Sequence, residues 1–361
     1  MLLPVVVKEL YAKGANCVNS PQFRSCYCPA SAKLRLLPNR CPRGNSMLRC
    51  RHLVATLVLA SLSALPAFAD QGKSTPTSQE LLAKSGAAEW RQPDPNNLLV
   101  MQLPSGRVLI ELAPDFAPLH AANIRTLVRE HYFDGLAIER VQDNFVTQWG
   151  DPAGNDGGDP ARIRPLGKAS STVPPEFIRP IDPKLPWTAL PDGDVYAPEV
   201  GFSEGFPVAR DPASGQEWLT HCYGMVGVGR DNGPETGSGS ELYAVIGQAP
   251  RRLDRNLAVV GRVLEGMPLL SGLPRGPAPM GFYTNPAQRT TIRSVRLAAD
   301  LPPAQRPSVE VLRTDSATFT ALIEAKRNRR DAFYTTPAGK VDLCSIDVPM
   351  RVSHPAASTR P

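Results

Sequence analysis

The chain has 361 residues, of which 38 are proline and 28 glycine, while 20% are charged and 42% are hydrophobic. Proline at about twice its usual share of ~5% favours turns and loops and argues against a helical bundle or a coiled coil. The length allows one large domain or two ordinary ones. No apolar run reaches the ~18–20 residues of a spanning helix without a proline or polar interruption, so we expect at most a peripheral membrane contact.

The positive charge is concentrated at the N-terminus. The formal net charge of +6 divides into +6 for residues 1–46, +2 for residues 47–69 and −2 for the remaining 292 residues. Binding to nucleic acid through a basic surface requires an excess of Lys and Arg, and the main part of the chain lacks one. We therefore expect no nucleic-acid partner.

Residues 47–69 have the pattern of a secretory signal peptide. A short cationic stretch precedes an apolar run over residues 53–65, and a small–x–small sequence ends at Ala69. We expect cleavage after Ala69 and export to the periplasm, or secretion where the cell has no outer membrane. Residues 1–46 show no sustained period and are interpreted as a disordered leader or as the product of a start assigned upstream of Met47.

The remaining chain divides into a lead-in over residues 70–97, a mainly β domain over residues 98–300 and a small α/β extension over residues 301–361. In the lead-in, a capping box at Thr77 and Glu80 predicts a short helix. The main domain contains one predicted helix, from about Pro118 to His131, and the following strand-like segments: 98–103, 107–112, 136–141, 145–149, 224–228, 242–246, 258–263 and 290–297.

Short strands separated by turns, with little helix, are typical of a closed barrel or a sandwich. Residues 151–222 are rich in Gly, Pro and Asp and too long for an ordinary connection, so they are interpreted as an irregular functional loop or insertion. The extension is predicted to contain a strand at residues 309–312 and a helix capped near Ser316.

Cleavage after Ala69 would leave two cysteines, Cys222 and Cys344. In an oxidising compartment they form one disulfide or remain two separate buried thiols, and spacing alone does not decide between these alternatives. His221 beside Cys222 has no visible partner cluster, so it is interpreted as structural, and we expect no metal site.

Residues 138–151 read IERVQDNFVTQWGD. This string resembles the cyclophilin signature F-H-R-x-x-x-x-F-x-x-Q-G-G-D, with matches at Arg140, Phe145, Gln148, Gly150 and Asp151. Further motifs follow in the family's order over residues 98–298, among them SGSELY at 238–243 and VGRV at 260–263. The chain therefore resembles a divergent, exported member of the cyclophilin family.

The resemblance implies an eight-stranded β-barrel capped by two helices, and peptidyl-prolyl cis–trans isomerase activity with no metal or organic cofactor. It implies that Arg140 donates a hydrogen bond toward the prolyl nitrogen, that Phe145 forms a wall of the proline pocket, and that Gln148 binds the substrate backbone. Further substrate-binding residues implied in the same way are Val146, Gly229, Glu241, Tyr243, Leu253 and Leu257. We expect a monomer whose substrates are proline-containing unfolded or extended polypeptides.

Several positions depart from the family's usual residue, and they lie mainly in the outer wall of the site. They are Trp149 for Gly, Arg230 for Asn, Glu241 for Gln, Tyr243 for Phe, Arg252 for Trp and Leu257 for His. The intact Arg–Phe–Gln centre favours an isomerase. The altered wall leaves a proline-peptide binding protein or periplasmic chaperone as the alternative, and residues 304–361 leave an assembly factor as a third possibility.

Overall fold

The computed structural model describes residues 75–154, 159–330, 333–334 and 336–352. The predicted leader and signal peptide, residues 1–69, lie outside these ranges. None of the helices in the described part of the chain is long and apolar enough to cross a membrane. The architecture is mainly β, with few helices.

Four α-helices and seventeen strands are found in the described residues. The helices are α1 Ser78–Ala83, α2 Pro118–Arg129, α3 Met267–Ser271 and α4 Ala317–Arg327. The strands are β1 Trp90–Arg91, β2 Leu98–Leu103, β3 Gly106–Leu112, β4 Ala137–Val141, β5 Val146–Gly150, β6 Arg179–Pro180, β7 Thr188–Leu190, β8 Glu199–Ser203, β9 Phe206–Asp211, β10 Gln216–Leu219, β11 Met225–Val228, β12 Leu242–Val245, β13 Val259–Glu265, β14 Thr290–Thr291, β15 Ser294–Leu297, β16 Val309–Leu312 and β17 Met350–Val352.

The largest sheet is a curled, antiparallel sheet of nine strands in the order β14-β4-β5-β12-β11-β13-β3-β2-β15. Its two terminal strands are consecutive in the chain, because only residues 292–293 separate β14 from β15. β14 pairs with β4, and β15 pairs with β2. The segment 290–297 thus contacts both ends of the strand order. Seven of the eight predicted strands of the main domain are confirmed to within one or two residues at their ends, and the predicted strand 290–297 is divided into β14 and β15.

Strand β3 packs against two cores, one on each face of the curled sheet. On β3, Val108, Ile110 and Leu112 belong to the inner core that α2 covers. The alternate residue Leu109 faces outward and packs with Val309 of β16. Since successive side chains point to opposite faces of a strand, burial on both faces produces a continuous apolar run rather than alternation.

Residues 151–222, expected to be irregular, contain a second antiparallel sheet in the order β6-β10-β9-β8-β7. The expectation of an irregular segment is therefore wrong for residues 179–219. The sequence did not indicate these strands because they are only two to six residues long and lie among turn-forming residues. Apolar side chains of this sheet, including Phe202, Phe206 and Trp218, pack with Phe319 of α4 and with the outer face of the curled sheet. The insertion therefore forms a second layer.

The lead-in and the C-terminal extension, predicted as separate segments, share one three-stranded sheet in the order β1-β16-β17. The predicted capping box at the start of α1 is confirmed, because Thr77 Oγ1 accepts from the Glu80 N–H and Glu80 Oε2 accepts from the Thr77 N–H. The ion pair between Arg91 of β1 and Glu111 of β3 joins this sheet to the outer face of the curled sheet.

Cys222 and Cys344 form a disulfide that joins the end of the insertion to the extension, across a sequence separation of 122 residues. Of the two alternatives left open by the sequence, the structure contains the cross-link. Closing a loop of this length removes much conformational entropy from the unfolded chain.

We expect the Cys222→Ser/Cys344→Ser variant to lose about 2–4 kcal/mol of unfolding free energy, since it loses this cross-link. Urea denaturation measures the loss. Dithiothreitol should lower the stability of the wild-type protein by a similar amount and leave the variant unchanged. Equal stability of the oxidised wild type and the variant would contradict a structural role for the disulfide.

Candidate active site

A β-bulge on β4 sets the orientation of Arg140. Ile138 pairs with Trp149, and Arg140 pairs with Gln148, so that three residues of β4 oppose two residues of β5. Ile138 and Trp149 are buried in the inner core. Without the extra residue, Arg140 would point to the same face as Ile138. The bulge instead turns Arg140 to the outer face, beside Gln148.

The Arg140 guanidinium is fixed by three hydrogen bonds. Nε donates to the Met280 carbonyl oxygen at 2.7 Å, and Nη1 donates to Gln148 Oε1 at 3.1 Å. Nη2 donates to Gln142 Oε1. Burial lowers the pKa of Arg140 to about 10, while the nearby Glu139 acts in the opposite direction. The group remains a cation at neutral pH.

The turn between β4 and β5 presents Phe145 at the surface next to Arg140. Asn144 occupies the left-handed region, with φ of 49°, which asparagine tolerates better than most residues. The half-buried Phe145 ring lies 5.4 Å from the Arg140 guanidinium carbon and 5.4 Å from that of Arg252. Two cations thus lie near one aromatic ring, at distances that permit favourable electrostatic interaction with its face.

An apolar floor lies next to Phe145. Phe145 and Leu257, both partly buried, pack against a cluster that includes Val146 and Tyr243. Tyr243 lies across Gly227 of the neighbouring strand, where a Cβ atom would come within 2.2 Å of the tyrosine hydroxyl. A residue without a side chain is therefore required opposite this ring.

The Tyr243 hydroxyl ends a buried chain of hydrogen bonds. It lies 2.9 Å from His221 Nε2, and His221 Nδ1 lies 2.8 Å from Asp254 Oδ1. Arg251 donates to Asp254 and to Asp194. With Nδ1–H directed at the Asp254 carboxylate, the Nε2 atom of His221 is placed to accept from the Tyr243 O–H. Burial raises the pKa of Tyr243, and the charge of Asp254 adds to this effect.

Two carboxyl groups meet behind Gln148. Glu241 lies over Gly150, where a Cβ atom would come within 2.1 Å of its carboxyl carbon. Its Oε1 accepts from the Asp151 N–H at 2.9 Å, and its Oε2 lies 3.5 Å from Gln148 Nε2. Burial raises the pKa of Glu241 well above its usual range, and the charge of Glu139 and a hydrogen bond with Glu139 raise it further. Adjacent buried carboxyls of this kind share a proton.

The structure brings together most of the residues singled out in the sequence. Arg140, Phe145, Gln148 and Glu241 lie on one outer face, and Val146, Tyr243 and Leu257 form the floor beside them. A Cβ atom at Gly229 would lie 3.7 Å from Gln148 Nε2, so Gly229 borders the same face. Leu253 is half-buried at the end of the 3-10 turn that carries Arg252.

Of the departures from the signature, Trp149 does not reach this face. Its side chain is 1% exposed and belongs to the inner core, on the opposite side of β5 from Gln148. The functional partners that the sequence did not reveal are Glu139 and Asp254. Neither belongs to a local motif, since Glu139 meets Glu241, and Asp254 meets His221, only through the fold.

In the described ranges, no group of three or more His, Cys, Asp or Glu side chains is arranged to hold a metal ion. The surface around Arg140 offers a fixed cation, an aromatic wall, an amide that can donate and accept, and an apolar floor. These features suit the binding of a short extended peptide with an apolar ring.

Residues 98–297 match the family model described as cyclophilin type peptidyl-prolyl cis-trans isomerase/CLD. A Brucella suis protein described as a probable peptidyl-prolyl cis-trans isomerase is 29% identical over 197 residues, which cover 54% of this chain and 80% of the relative. A Synechocystis protein named as a candidate thylakoid lumen peptidyl-prolyl cis-trans isomerase is 26% identical over 167 residues, which cover 44% of this chain and 39% of the relative.

Among solved structures, cyclophilin AquaCyp293 from Hirschia baltica is similar to this chain, with a TM-score of 0.58 and 27% identity. The match covers 77% of this chain and 97% of that protein. It therefore extends over more of the chain than the family model does.

Replacing Glu241 by Gln should remove a pH-dependent penalty on folding. Because the pKa of Glu241 is raised in the folded protein, the folded state binds this proton more tightly than the unfolded state does. The wild-type free energy of unfolding therefore falls as pH rises above the ordinary glutamate pKa of about 4.3. We expect Glu241→Gln to lack this fall and to be more stable than wild type at neutral pH.

Urea denaturation over a series of pH values tests this prediction. Glu199→Gln, at an exposed position of β8, is the matched control and should keep the wild-type profile. An unchanged pH profile in Glu241→Gln would contradict proton sharing by the two carboxyls.

Tyr243→Phe should destabilise the protein, although it introduces the residue expected from the resemblance. Loss of the hydroxyl leaves the fully buried His221 Nε2 without this partner, at a cost of about 1–2 kcal/mol. Tyr223→Phe, at a half-exposed ring, is the control and should change the unfolding free energy by only a few tenths of a kcal/mol. Equal stabilities of both variants in urea would show that the buried chain contributes nothing.

Proposed function

Because the chain belongs to the cyclophilin-type peptidyl-prolyl cis-trans isomerase family, as the match over residues 98–297 shows, we propose that the outer face around Arg140 is its catalytic centre. The chain is a peptidyl-prolyl cis-trans isomerase. One observation carries the assignment of the centre: the charged Arg140 guanidinium is held beside both Phe145 and Gln148.

Rotation about an X–Pro bond is slow because amide resonance gives the C–N bond partial double-bond character, with a barrier of ~18–20 kcal/mol. In the twisted transition state, the prolyl nitrogen regains its lone pair and becomes a better hydrogen-bond acceptor. A cationic donor directed at that nitrogen therefore binds the transition state more strongly than the ground state. No covalent step is required.

Arg140 suits this role because its planar guanidinium group is held in place before substrate binds. A guanidinium has five N–H donors, and three of those in Arg140 point to acceptors in the described part of the chain. One donor on each terminal nitrogen then remains for the substrate. Since the bound acceptors fix the plane of the group, little reorganisation accompanies the reaction.

The remaining residues position the substrate. The proline ring would pack on the apolar floor of Val146, Tyr243 and Leu257, against the wall formed by Phe145. The Gln148 amide would bind the substrate backbone. Its Oε1 accepts from Arg140, and its Nε2 faces Glu241. These two contacts fix the orientation of the amide. Gly229 borders the groove, and Leu253 ends the turn that carries Arg252.

We further propose that the curled sheet closes into an eight-stranded barrel, with β14 and β15 as two halves of one strand. The Ile292 carbonyl oxygen accepts from the Gly135 N–H at 2.8 Å, and the Arg293 N–H donates to the Gln102 carbonyl oxygen at 2.8 Å. These bonds, which continue the pairing with β4 and β2, support closure. Helices α2 and α3 would cap the barrel.

The substrates proposed are unfolded or extended polypeptides in an exported compartment, with the protein acting as a monomer. The signal-peptide pattern of residues 47–69 and the disulfide between Cys222 and Cys344 support this location. The Synechocystis relative, whose name refers to the thylakoid lumen, supports export in the same way.

Arg140→Ala should reduce kcat/KM for isomerisation of an X–Pro peptide by about 10²-fold, comparable to the loss of one transition-state donor elsewhere. Exchange NMR measures the rate without a coupled protease. Arg140→Lys should recover only part of the loss, because an ammonium group lacks the planar fork.

Arg313→Ala is the control, since this exposed arginine pairs with Asp315 on another part of the surface. It should retain wild-type kcat/KM. Retention of the wild-type rate by Arg140→Ala would refute the proposed centre. Binding of peptides without acceleration by the wild-type protein would instead favour the proline-peptide binding alternative.

A further inference from the structure

Two arginines at the rim of the proposed proline pocket, Arg230 and Arg252, form no ion pair with a carboxylate of the described residues. Elsewhere in the described residues, partly exposed arginines commonly form ion pairs, as in Arg107–Glu265, Arg129–Asp300 and Arg296–Asp134. Arg140 has the buried Glu139 nearby, whereas no carboxylate from the described ranges forms such a pair with Arg230 or Arg252. Residues 70–361 carry a net charge of −2, so this local excess of positive charge contrasts with the chain around it.

Arg252 is the most accessible of these cations. It is exposed, and its guanidinium lies against the Phe145 ring. The preceding residue, Arg251, is buried and pairs with Asp254 and Asp194, which anchors the 3-10 turn from below. The Gln248 N–H donates to Asn144 Oδ1, which ties the same turn to the loop that carries Phe145. Arg252 is therefore presented from a fixed backbone.

Arg230 directly follows Gly229, which borders the same face as Gln148. Its Nε and Nη2 donate to the Asn256 carbonyl oxygen at 3.1 and 3.0 Å, and its guanidinium carbon lies 5.4 Å from the centre of the Phe177 ring. Carbonyl oxygens and an aromatic ring orient the group without neutralising it. It keeps its full charge for an incoming ligand.

The acidic groups near the rim do not cancel these cations. Asp194 and Asp254 are engaged by Arg251. The proton shared by Glu241 and Glu139 leaves that buried pair with one negative charge, which lies near Arg140 rather than beside Arg252 or Arg230. Asp231, which is exposed, is a further opposing charge. A cleft lined mainly by one sign of charge concentrates the field and attracts ligands of the opposite sign.

We propose that Arg252, with support from Arg230, makes this site select proline peptides that carry an acidic side chain next to the proline. The guanidinium would donate charge-assisted hydrogen bonds to a carboxylate of the substrate while stacked on the ring that contacts the proline. This specificity rests on the proposed function of the Arg140 centre. It assigns a role to a position where the resemblance leads one to expect tryptophan.

The test compares capped peptides that differ only in the residue before proline, which is Glu, Gln or Lys, with a second set varied after proline. Exchange NMR gives kcat/KM for each. In at least one set we expect kcat/KM for the Glu peptide to be about five-fold higher than for the Gln peptide, which corresponds to the upper end of the energies of exposed ion pairs. The Lys peptide should be the poorest. About 0.5 M salt should compress these ratios, because the Debye length is then only a few ångström.

Arg252→Gln should bring the Glu-to-Gln ratio close to one, and Arg252→Glu should make the Lys peptide the preferred substrate. Arg230→Gln should lower the ratio partly. Arg313→Gln, the matched control, should keep the wild-type ratio, since its charge lies in an ion pair with Asp315. Using ratios separates selectivity from any general change in rate.

Equal kcat/KM values for the three peptides in both sets would overturn the proposal, as would a wild-type ratio in Arg252→Gln. Either result would leave the isomerase centre intact, because all peptides would still be accelerated. Absence of acceleration for every peptide would refute the proposed centre itself, so the two failures are distinguishable.

Discussion

The site depends on one irregularity in the hydrogen-bonded ladder between β4 and β5. Side chains alternate along a strand, so a cation two residues after the buried Ile138 would point into the inner core. The extra residue at position 139 places Arg140 opposite Gln148 on the outer face. The same bulge brings Glu139 close to Glu241. The orientation of the cation and the buried carboxyl pair thus have a single cause.

The outer face of the curled sheet is itself largely covered. The insertion and α4 pack over it through a second apolar cluster, and the proposed pocket is a part of this face that remains partly exposed. Covering this face buries the Tyr243 hydroxyl, and a buried hydroxyl without a hydrogen-bond partner would lower the stability of the fold. His221 is that partner and is in turn held by Asp254. The buried polar chain therefore links the pocket floor to the added layer.

The sequence predicted what local patterns encode. The hairpin of β2 and β3, helix α2 and the Arg140, Phe145 and Gln148 positions follow from apolar spacing, turn residues or a contiguous motif. The second sheet was missed because its strands are short, and its outer pair joins β6 to β10, which are distant in sequence. The Glu139–Glu241 and His221–Asp254 contacts were missed for the same reason. Each of these contacts depends on which strands become neighbours in the sheet, and the periodicity of a single segment does not predict that pairing.

Glu241 illustrates how a departure can preserve the chemistry of the residue it replaces. A glutamine at this place would offer one acceptor and one donor. A protonated carboxyl also offers both, and the proximity of Glu139 favours that proton. Gly150 leaves room for the group, and the Asp151 N–H fixes it. Glutamate in place of glutamine at position 241 therefore retains the hydrogen-bonding groups behind Gln148. Unlike an amide, however, the carboxyl makes these hydrogen bonds depend on pH.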